Sequence, residues 1–205
     1  MNNAALNNLG YGLYIVTAKD DGKDSGCITN TVMQVSNDPI LLGAITINKQ
    51  NNTHDMIMKS KKFNVSILTV SAPFEIFQRF GFQTGKTANK FADFTDAKRS
   101  ANGIFYITKN TNAYLSFEVL DTFDFNSHTM FKAEITDCDV LSKDESATYA
   151  YYHKRIKPQP AKTPGAKKAG YRCNLCGFVY AGETLPDDFI CPVCKRGAKD
   201  FKKIK

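Results

Sequence analysis

The chain has 205 residues, 42% hydrophobic, 12% aromatic and 23% charged, the make-up of one large domain or of a medium domain beside a small one, and not of a disordered chain or a multi-domain assembly. No run approaches the roughly 18 consecutive apolar residues of a membrane helix, and residues 1–10 lack the basic start and apolar centre of a secretion signal, so a soluble, unexported, cytoplasmic chain is expected. The net charge of +7 is uneven, 17 basic against 16 acidic side chains in residues 1–157 but 10 against 4 in residues 158–205, so it marks the tail and not a nucleic-acid-binding face across the whole protein.

Residues 12–18 (GLYIVTA), 28–35 (ITNTVMQV), 40–47 (ILLGAITI) and 63–70 (FNVSILTV) are rich in β-branched and aromatic side chains, with Asp-Gly, Ser-Gly and Asn-Asp-Pro turn signals between them. They are expected to be strands. Thr53 is placed to cap a helix that runs to Lys61, with Asp55 in its first turn. A second helix is expected from Ser71, with Pro73 early, Phe74, Phe77 and Phe80 on one core-facing stripe, and Gly81 at its end. Residues 114–125 and 129–141 alternate apolar and polar around Asn126-Ser127-His128, which predicts a long antiparallel hairpin with His128 at the surface. Cys27 and Cys138 stand alone and are expected to be small buried apolar residues. Gly81 to Thr87 (GFQTGKT) ends like a phosphate-binding loop, but its first glycine is one residue too close, so no nucleoside triphosphate is expected.

Residues 154–170 (KRIKPQPAKTPGAKKAG) hold three prolines, two glycines, six basic and no acidic residues, and a single large aliphatic, Ile156. Such a segment reads as a solvated linker; fully extended, residues 158–170 would span about 40 Å at roughly 3.1 Å each. Behind it, Cys173-x-x-Cys176 and Cys191-x-x-Cys194 lie 14 residues apart, the arrangement that wraps four thiolates around one ion. Spacing leaves zinc and iron both open. Tyr171, Phe178, Tyr180, Phe189 and Phe201 supply a small aromatic core.

The run YRCNLCGFVYAGETLPDDFICPVC with Phe201 behind it resembles rubredoxin over residues 171 to about 204. The resemblance implies a rubredoxin-like domain holding one iron on Cys173, Cys176, Cys191 and Cys194 and passing one electron at a time. Gly177 follows the first knuckle as in that family, whereas Lys195 stands where the second usually has glycine.

The run CITNTVMQVSNDPILLGAITINKQNNTHDMIMKSKKFNVSIL resembles the flavin reductase family over roughly residues 5–153. That implies a mainly β fold, a split β-barrel with a few helices that binds FMN. By the resemblance, the strand end Thr29, Asn30, Thr31, Val32, Met33 and Gln34 meets the flavin ring. Asn48, Lys49, Asn52, Thr53 and His54 gather at a helix start suited to a phosphate. Lys90 matches a basic phosphate contact, Phe80, Gly81 and Phe82 a loop beside the cofactor, and Tyr152, between Tyr151 and His153, a position near flavin or nicotinamide.

The expected organisation is therefore a flavin reductase-like domain over residues 1–153, a linker over 154–170 and a rubredoxin-like domain over 171–205. A nicotinamide gives a hydride and rubredoxin iron takes one electron, and a flavin does both. The pair resembles the high-molecular-weight rubredoxins of anaerobes. It implies NADH or NADPH as donor, a homodimer, and a flavodiiron protein or another acidic redox protein as acceptor, with no nucleic acid or membrane partner and no acid–base catalytic residue. A flavin or ferric reductase with a non-essential rubredoxin or zinc-ribbon tail is the alternative.

Overall fold

The computed structural model describes residues 5, 8–158, 170–174, 176–194 and 196–204, and the chain divides into the units Met1–Ile156 and Lys157–Lys205. In the first unit the apolar alternation produces β1 (Tyr14–Asp20), β2 (Lys23–Thr29), β3 (Val32–Ser36), β4 (Leu42–Asn48), β5 (Lys62–Leu68), β8 (Thr111–Phe125) and β9 (His128–Val140). They form one antiparallel sheet in the order β2-β1-β5-β8-β9-β4-β3. The Asp21-Gly22 turn joins β1 to β2 with positive φ at both residues, the backbone that the right-handed twist of a hairpin favours. Short β6 (Ala97–Arg99) and β7 (Phe105–Ile107) pair separately.

The edge strands β2 and β3 are consecutive in the chain, linked only by Asn30-Thr31. A two-residue link forces the two edges of a seven-stranded sheet together, so the sheet curls into a barrel with a seam at that link. This splits the strand expected over 28–35. Thr29 Oγ1 accepts from the Thr31 N–H at 3.3 Å and donates to the Thr46 carbonyl at 3.2 Å, which fixes the corner.

Inside the barrel, Val16, Cys27, Ile45, Phe63, Phe117 and Phe131 are buried together, Phe63 and Phe117 stacked at 4.7 Å. Each of these phenylalanines contributes roughly 2–3 kcal/mol by apolar area removed from water. Helix α1 (Asn52–Ser60) adds Met56 and Ile57 to this core. A second core gathers Leu13, Ile15, Ile76, Phe77, Phe80 and Tyr152, with Phe74 half-buried at its rim. The phenylalanine stripe is thus core packing, on a short helix α2 (Phe74–Phe77) that continues as a π-turn, Gln78–Phe82.

Several expectations shift. Helix α2 starts after Pro73 and not at Ser71, whose hydroxyl bonds that of Thr69 at 2.8 Å. Cys27 is buried, but Cys138 is exposed, because it lies in residues 136–140 where β9 has run past the elements packed on it. Helix α3 (Tyr149–Tyr151) leads into a π-turn, Tyr152–Ile156, and Ile156 packs on the second core, so residues 154–156 belong to the first unit's fold and not to a free linker. Of the rest of the expected linker, Gly170 begins a strand of the second unit, while residues 159–169, like Lys195, lie outside the described residues.

The second unit is a three-stranded sheet, β11 (Val179–Tyr180), β10 (Gly170–Cys173) and β12 (Phe201–Ile204) in that order. Its aromatic core forms as expected: Phe189 meets Tyr180 at 4.7 Å and Phe201 at 5.4 Å, and Phe178 meets Phe201 edge-on at 6.5 Å.

Candidate functional site

At the seam, Thr29, Asn30 and Thr31 face the ends of β4 and β9 across a pocket of about 140 Å³ whose wall includes Asn48, Asn51 and His128. The Thr31 hydroxyl donates to Asn30 Oδ1 at 3.1 Å and the Asn48 side chain accepts from the Gln50 N–H at 2.8 Å, so these side chains are held by partners within the wall itself. Of the expected run, Val32 packs against the barrel core while Met33 and Gln34 are exposed on β3.

Helix α1 begins beside this pocket with Asn51 as its cap residue. Thr53 is therefore not the cap. It is the second residue of the helix, buried, with its hydroxyl 3.1 Å from that of Ser25. His54 is buried too: Nε2 lies 2.9 Å from the Thr129 hydroxyl, Nδ1 3.0 Å from the Asp55 carboxylate, and the ring meets the edge of Phe131. Its side chain thus ties α1 to β9 instead of decorating the helix start. Lys49 reaches across to Asp124 at 2.5 Å, an ammonium contact that holds the Asp124 carboxyl below its usual range.

Lys90 departs furthest from expectation. It is only 4% exposed, and its ammonium donates to the Gly26 and Phe80 carbonyls, both at 2.8 Å. The side chain clamps β2 to the π-turn, with its ammonium engaged by these two carbonyls. Burial lowers its pKa to about 8, although the neighbouring Cys27 acts in the opposite sense; burial pushes the Cys27 thiol up to about 11. Phe80 and Tyr152 are likewise built into the second core, Tyr152 against Phe77 at 4.5 Å. Gly81 is exposed beside Ile28, Phe82 packs on Phe74, Tyr151 is exposed, and the His153 ring meets Tyr149.

The structure therefore brings together Thr29, Asn30, Thr31, Asn48 and the start of α1, and leaves Phe80, Lys90 and Tyr152 as supports. Asn51 and His128 also line the seam pocket and were not among the expected residues, and Ser25 supports Thr53. His128 is set opposite Asn48 by the pairing of β9 with β4, a long-range register that the local hairpin pattern does not carry. On the other side of the first turn of α1, Asn52 opens onto a much larger cleft of about 880 Å³, bounded by Lys23, Lys86, Asn89, Arg99 and Phe105.

In the second unit, Cys173, Cys176, Cys191 and Cys194 are all buried and their sulfurs lie within 4.8 Å of one another, with two pairs at 3.5 Å. Four thiolates bound tetrahedrally at about 2.3 Å stand about 3.8 Å apart, so the cage has the size an ion requires. The two knuckles repeat one design. The Cys173 and Cys191 N–H groups donate to the carbonyls of Phe178 and Arg196, at 2.8 and 2.7 Å. The Phe178 and Arg196 N–H groups in turn approach the Cys176 and Cys194 sulfurs. Gly177 takes φ +78 to permit the first of these turns. Burial, with the adjoining thiols, raises the pKa of Cys176 to about 11 and that of Cys194 further, so loading an ion must release protons.

Comparison with known proteins agrees with both halves. The flavin reductase like domain matches residues 6–159 and the rubrerythrin, rubredoxin-like domain residues 171–202. The chain is 36% identical to a high molecular weight rubredoxin of Moorella thermoacetica over the full length of both. It is also 36% identical to a ferric-chelate reductase (NAD(P)H) of Archaeoglobus fulgidus, covering 78% of this chain and 93% of that one. An FMN-binding protein of Thermus thermophilus shares the fold at a TM-score of 0.60 and 16% identity, over 75% of this chain and 79% of that one. The chain thus belongs to the flavin reductase-like family of oxidoreductases, with a rubredoxin-like domain of the four-cysteine, one-iron type C-terminal to it in sequence.

Proposed function

We propose that the protein is an NAD(P)H-dependent FMN oxidoreductase that passes single electrons to its own Fe(Cys)4 centre and on to an acidic redox partner such as a flavodiiron protein, which reduces oxygen or nitric oxide. The observation that carries this reading is the pairing, in one chain, of a polar seam pocket with four buried thiols gathered within 4.8 Å. Bound FMN accepts a hydride and yields electrons singly, which matches a nicotinamide donor to a one-electron iron centre. The hydroxyls and amides of Thr29, Asn30, Thr31 and Asn48 suit the polar edge of the flavin ring, with Met33 and Gln34 beyond them. The N-terminal turn of α1 offers its dipole to the phosphate at Asn52 and Thr53, and Lys49 adds positive charge. The four cysteines hold the iron, and the Phe178 and Arg196 N–H groups tune it. A similar protein described as using NAD(P)H and a neighbour described as FMN-binding support the donor and the cofactor. A cytoplasmic setting suits four thiols that must stay reduced, and no helix among the described residues is long and apolar enough to cross a membrane.

The same reading includes a homodimer. By register, Met33, Phe123 and Phe125 share the outward face of the β3-β4-β9-β8 portion of the sheet, and they are 52%, 44% and 56% exposed. A second copy would cover that apolar surface; Phe123→Lys should shift the protein to a monomer in sedimentation.

The deciding experiment is the absorption spectrum of natively purified protein, with iron and zinc assayed, repeated anaerobically after NADH or NADPH. Flavin and ferric-thiolate bands that both bleach support the reading, and a colourless zinc protein overturns it. The second reading, a ferric reductase with a dispensable tail, draws on the Archaeoglobus match over 78% of the chain. It predicts that Cys191→Ser leaves delivery to a flavodiiron protein unchanged.

A further inference from the structure

The first turn of α1 separates two cavities of unequal size. The seam pocket, at about 140 Å³, has room for a ring edge or a phosphate, whereas the cleft beyond Asn52, at about 880 Å³, lies within the range of whole ligand sites. None of the roles assigned above uses the far wall of that cleft.

The wall is built to a pattern. The Arg99 guanidinium is held by the Asp24 carboxylate at 3.0 and 2.9 Å and by the Gly103 carbonyl at 2.7 Å, and it lies 3.8 Å over the Phe105 ring. Phe105 is itself backed by Phe91, stacked at 4.9 Å. One face of the guanidinium is therefore covered and the group is fixed flat, which leaves its other face as a rigid platform for a planar base. Asn89, with the backbone of residues 85–88 beside it, brings amides that both donate and accept. Among the described residues no ion pair involves Lys23, and Lys86 makes an exposed contact with Asp55, at 3.7 Å, of the kind that contributes little and exchanges readily. Lys23, Lys86 and Arg99 against Asp24 leave the cleft with a charge of +2.

We propose that this cleft seats the adenosine-phosphate half of the nicotinamide donor and that its charge selects the dinucleotide carrying a 2′-phosphate, NADPH over NADH. The assignment rests on the nicotinamide-donor reading above. A purine lies against Arg99, the amides meet the base and ribose, and the two lysines take the phosphates as mobile point charges. The glycine-lysine-threonine run at residues 85–87, which lacks the spacing of a triphosphate loop, then has a use as the outer lip of the cleft.

The test uses the full-length protein with FMN bound and titrates it calorimetrically with adenosine 2′,5′-bisphosphate and with 5′-AMP. The bisphosphate is expected to bind more tightly, with FMN retained. The Lys23→Glu/Lys86→Glu double variant, altered at two exposed positions, should raise its Kd about tenfold, and should raise KM for NADPH more than for NADH with little change in kcat. An unchanged Kd in the double variant overturns the proposal. So does displacement of FMN by the probe, which would make the cleft part of the flavin's own site. Binding of the probe to a holoprotein that neither dinucleotide can bleach would instead overturn the donor assignment, since the cleft would then take a nucleotide unconnected with reduction.

Discussion

Lys90→Met removes a buried ammonium and keeps the bulk of its stem. The Gly26 and Phe80 carbonyls, each bonded to that ammonium at 2.8 Å, lose a charged donor, which costs about 2 kcal/mol or more at neutral pH. The sharper expectation concerns pH. In the folded protein the group titrates at about 8 and in the unfolded chain at 10.5, so between these values the unfolded state binds more protons and stability rises with pH. The rise is about 1 kcal/mol from pH 8 to pH 9, a factor of roughly five in the unfolding equilibrium. The opposing loss from Cys27, whose folded pKa of about 11 exceeds its reference of 9.0, falls between those values; Lys90→Met removes the ammonium that lowers it and so moves that thiol further up, which leaves its loss between pH 8 and pH 9 nearly the same in both proteins. Denaturant unfolding of the full-length protein and of Lys90→Met, followed by far-ultraviolet circular dichroism of the large sheet, should therefore show a stability gap that widens by about 1 kcal/mol over that interval. A gap that stays constant or narrows would refute the depression of the Lys90 pKa by burial.

Gly43→Ala sets a Cβ 2.7 Å from the Phe117 ring, which is stacked on Phe63, and should cost about 1–3 kcal/mol by denaturant unfolding. Gly10→Ala meets nothing within 4 Å and should change stability by less than about 0.5 kcal/mol. Thr129→Val leaves the buried His54 Nε2 without its partner at 2.9 Å and should lower stability by about 1–3 kcal/mol; an unchanged midpoint would mean that the imidazole does not link α1 to β9. Removing iron by chelation, or by Cys191→Ser, should abolish the ferric-thiolate bands and melt the second unit's aromatic near-ultraviolet signal. Flavin bleaching by the nicotinamide donor should persist.

Legibility followed the physical range of each interaction. The long hairpin, the phenylalanine stripe and the four-cysteine cage were readable because each is encoded by local periodicity or spacing. β6 and β7 were not, since strands of three residues carry no period. The break within residues 28–35 was hidden because the β-branched pattern continues through Asn30-Thr31; only closure of the sheet, a long-range event, requires the corner. The site residues divided in the same way. Thr29 to Thr31 and Asn48 stand at strand ends and line one pocket, as their place in the pattern led one to expect, but a sequence cannot tell a lysine placed for an incoming ligand from one that meets two carbonyls, and Lys90 meets two carbonyls. Thr53 looked like a cap because threonine favours that position, yet Asn51 holds it and the Thr53 hydroxyl is engaged with Ser25.

A barrel closed by two covalently linked residues, and not by a continuous ladder between its edge strands, concentrates its opening fluctuations along one line. Amide protons on β2 and β3 near Asn30 and Thr31 should exchange with solvent sooner than those of β5, β8 and β9, which are flanked on both sides. A molecule lodged in the pocket at that line would bridge the edges and supply the cross-link that the backbone omits. Its occupancy would then be legible as slowed exchange along both strands and as a rise in the melting temperature with ligand concentration.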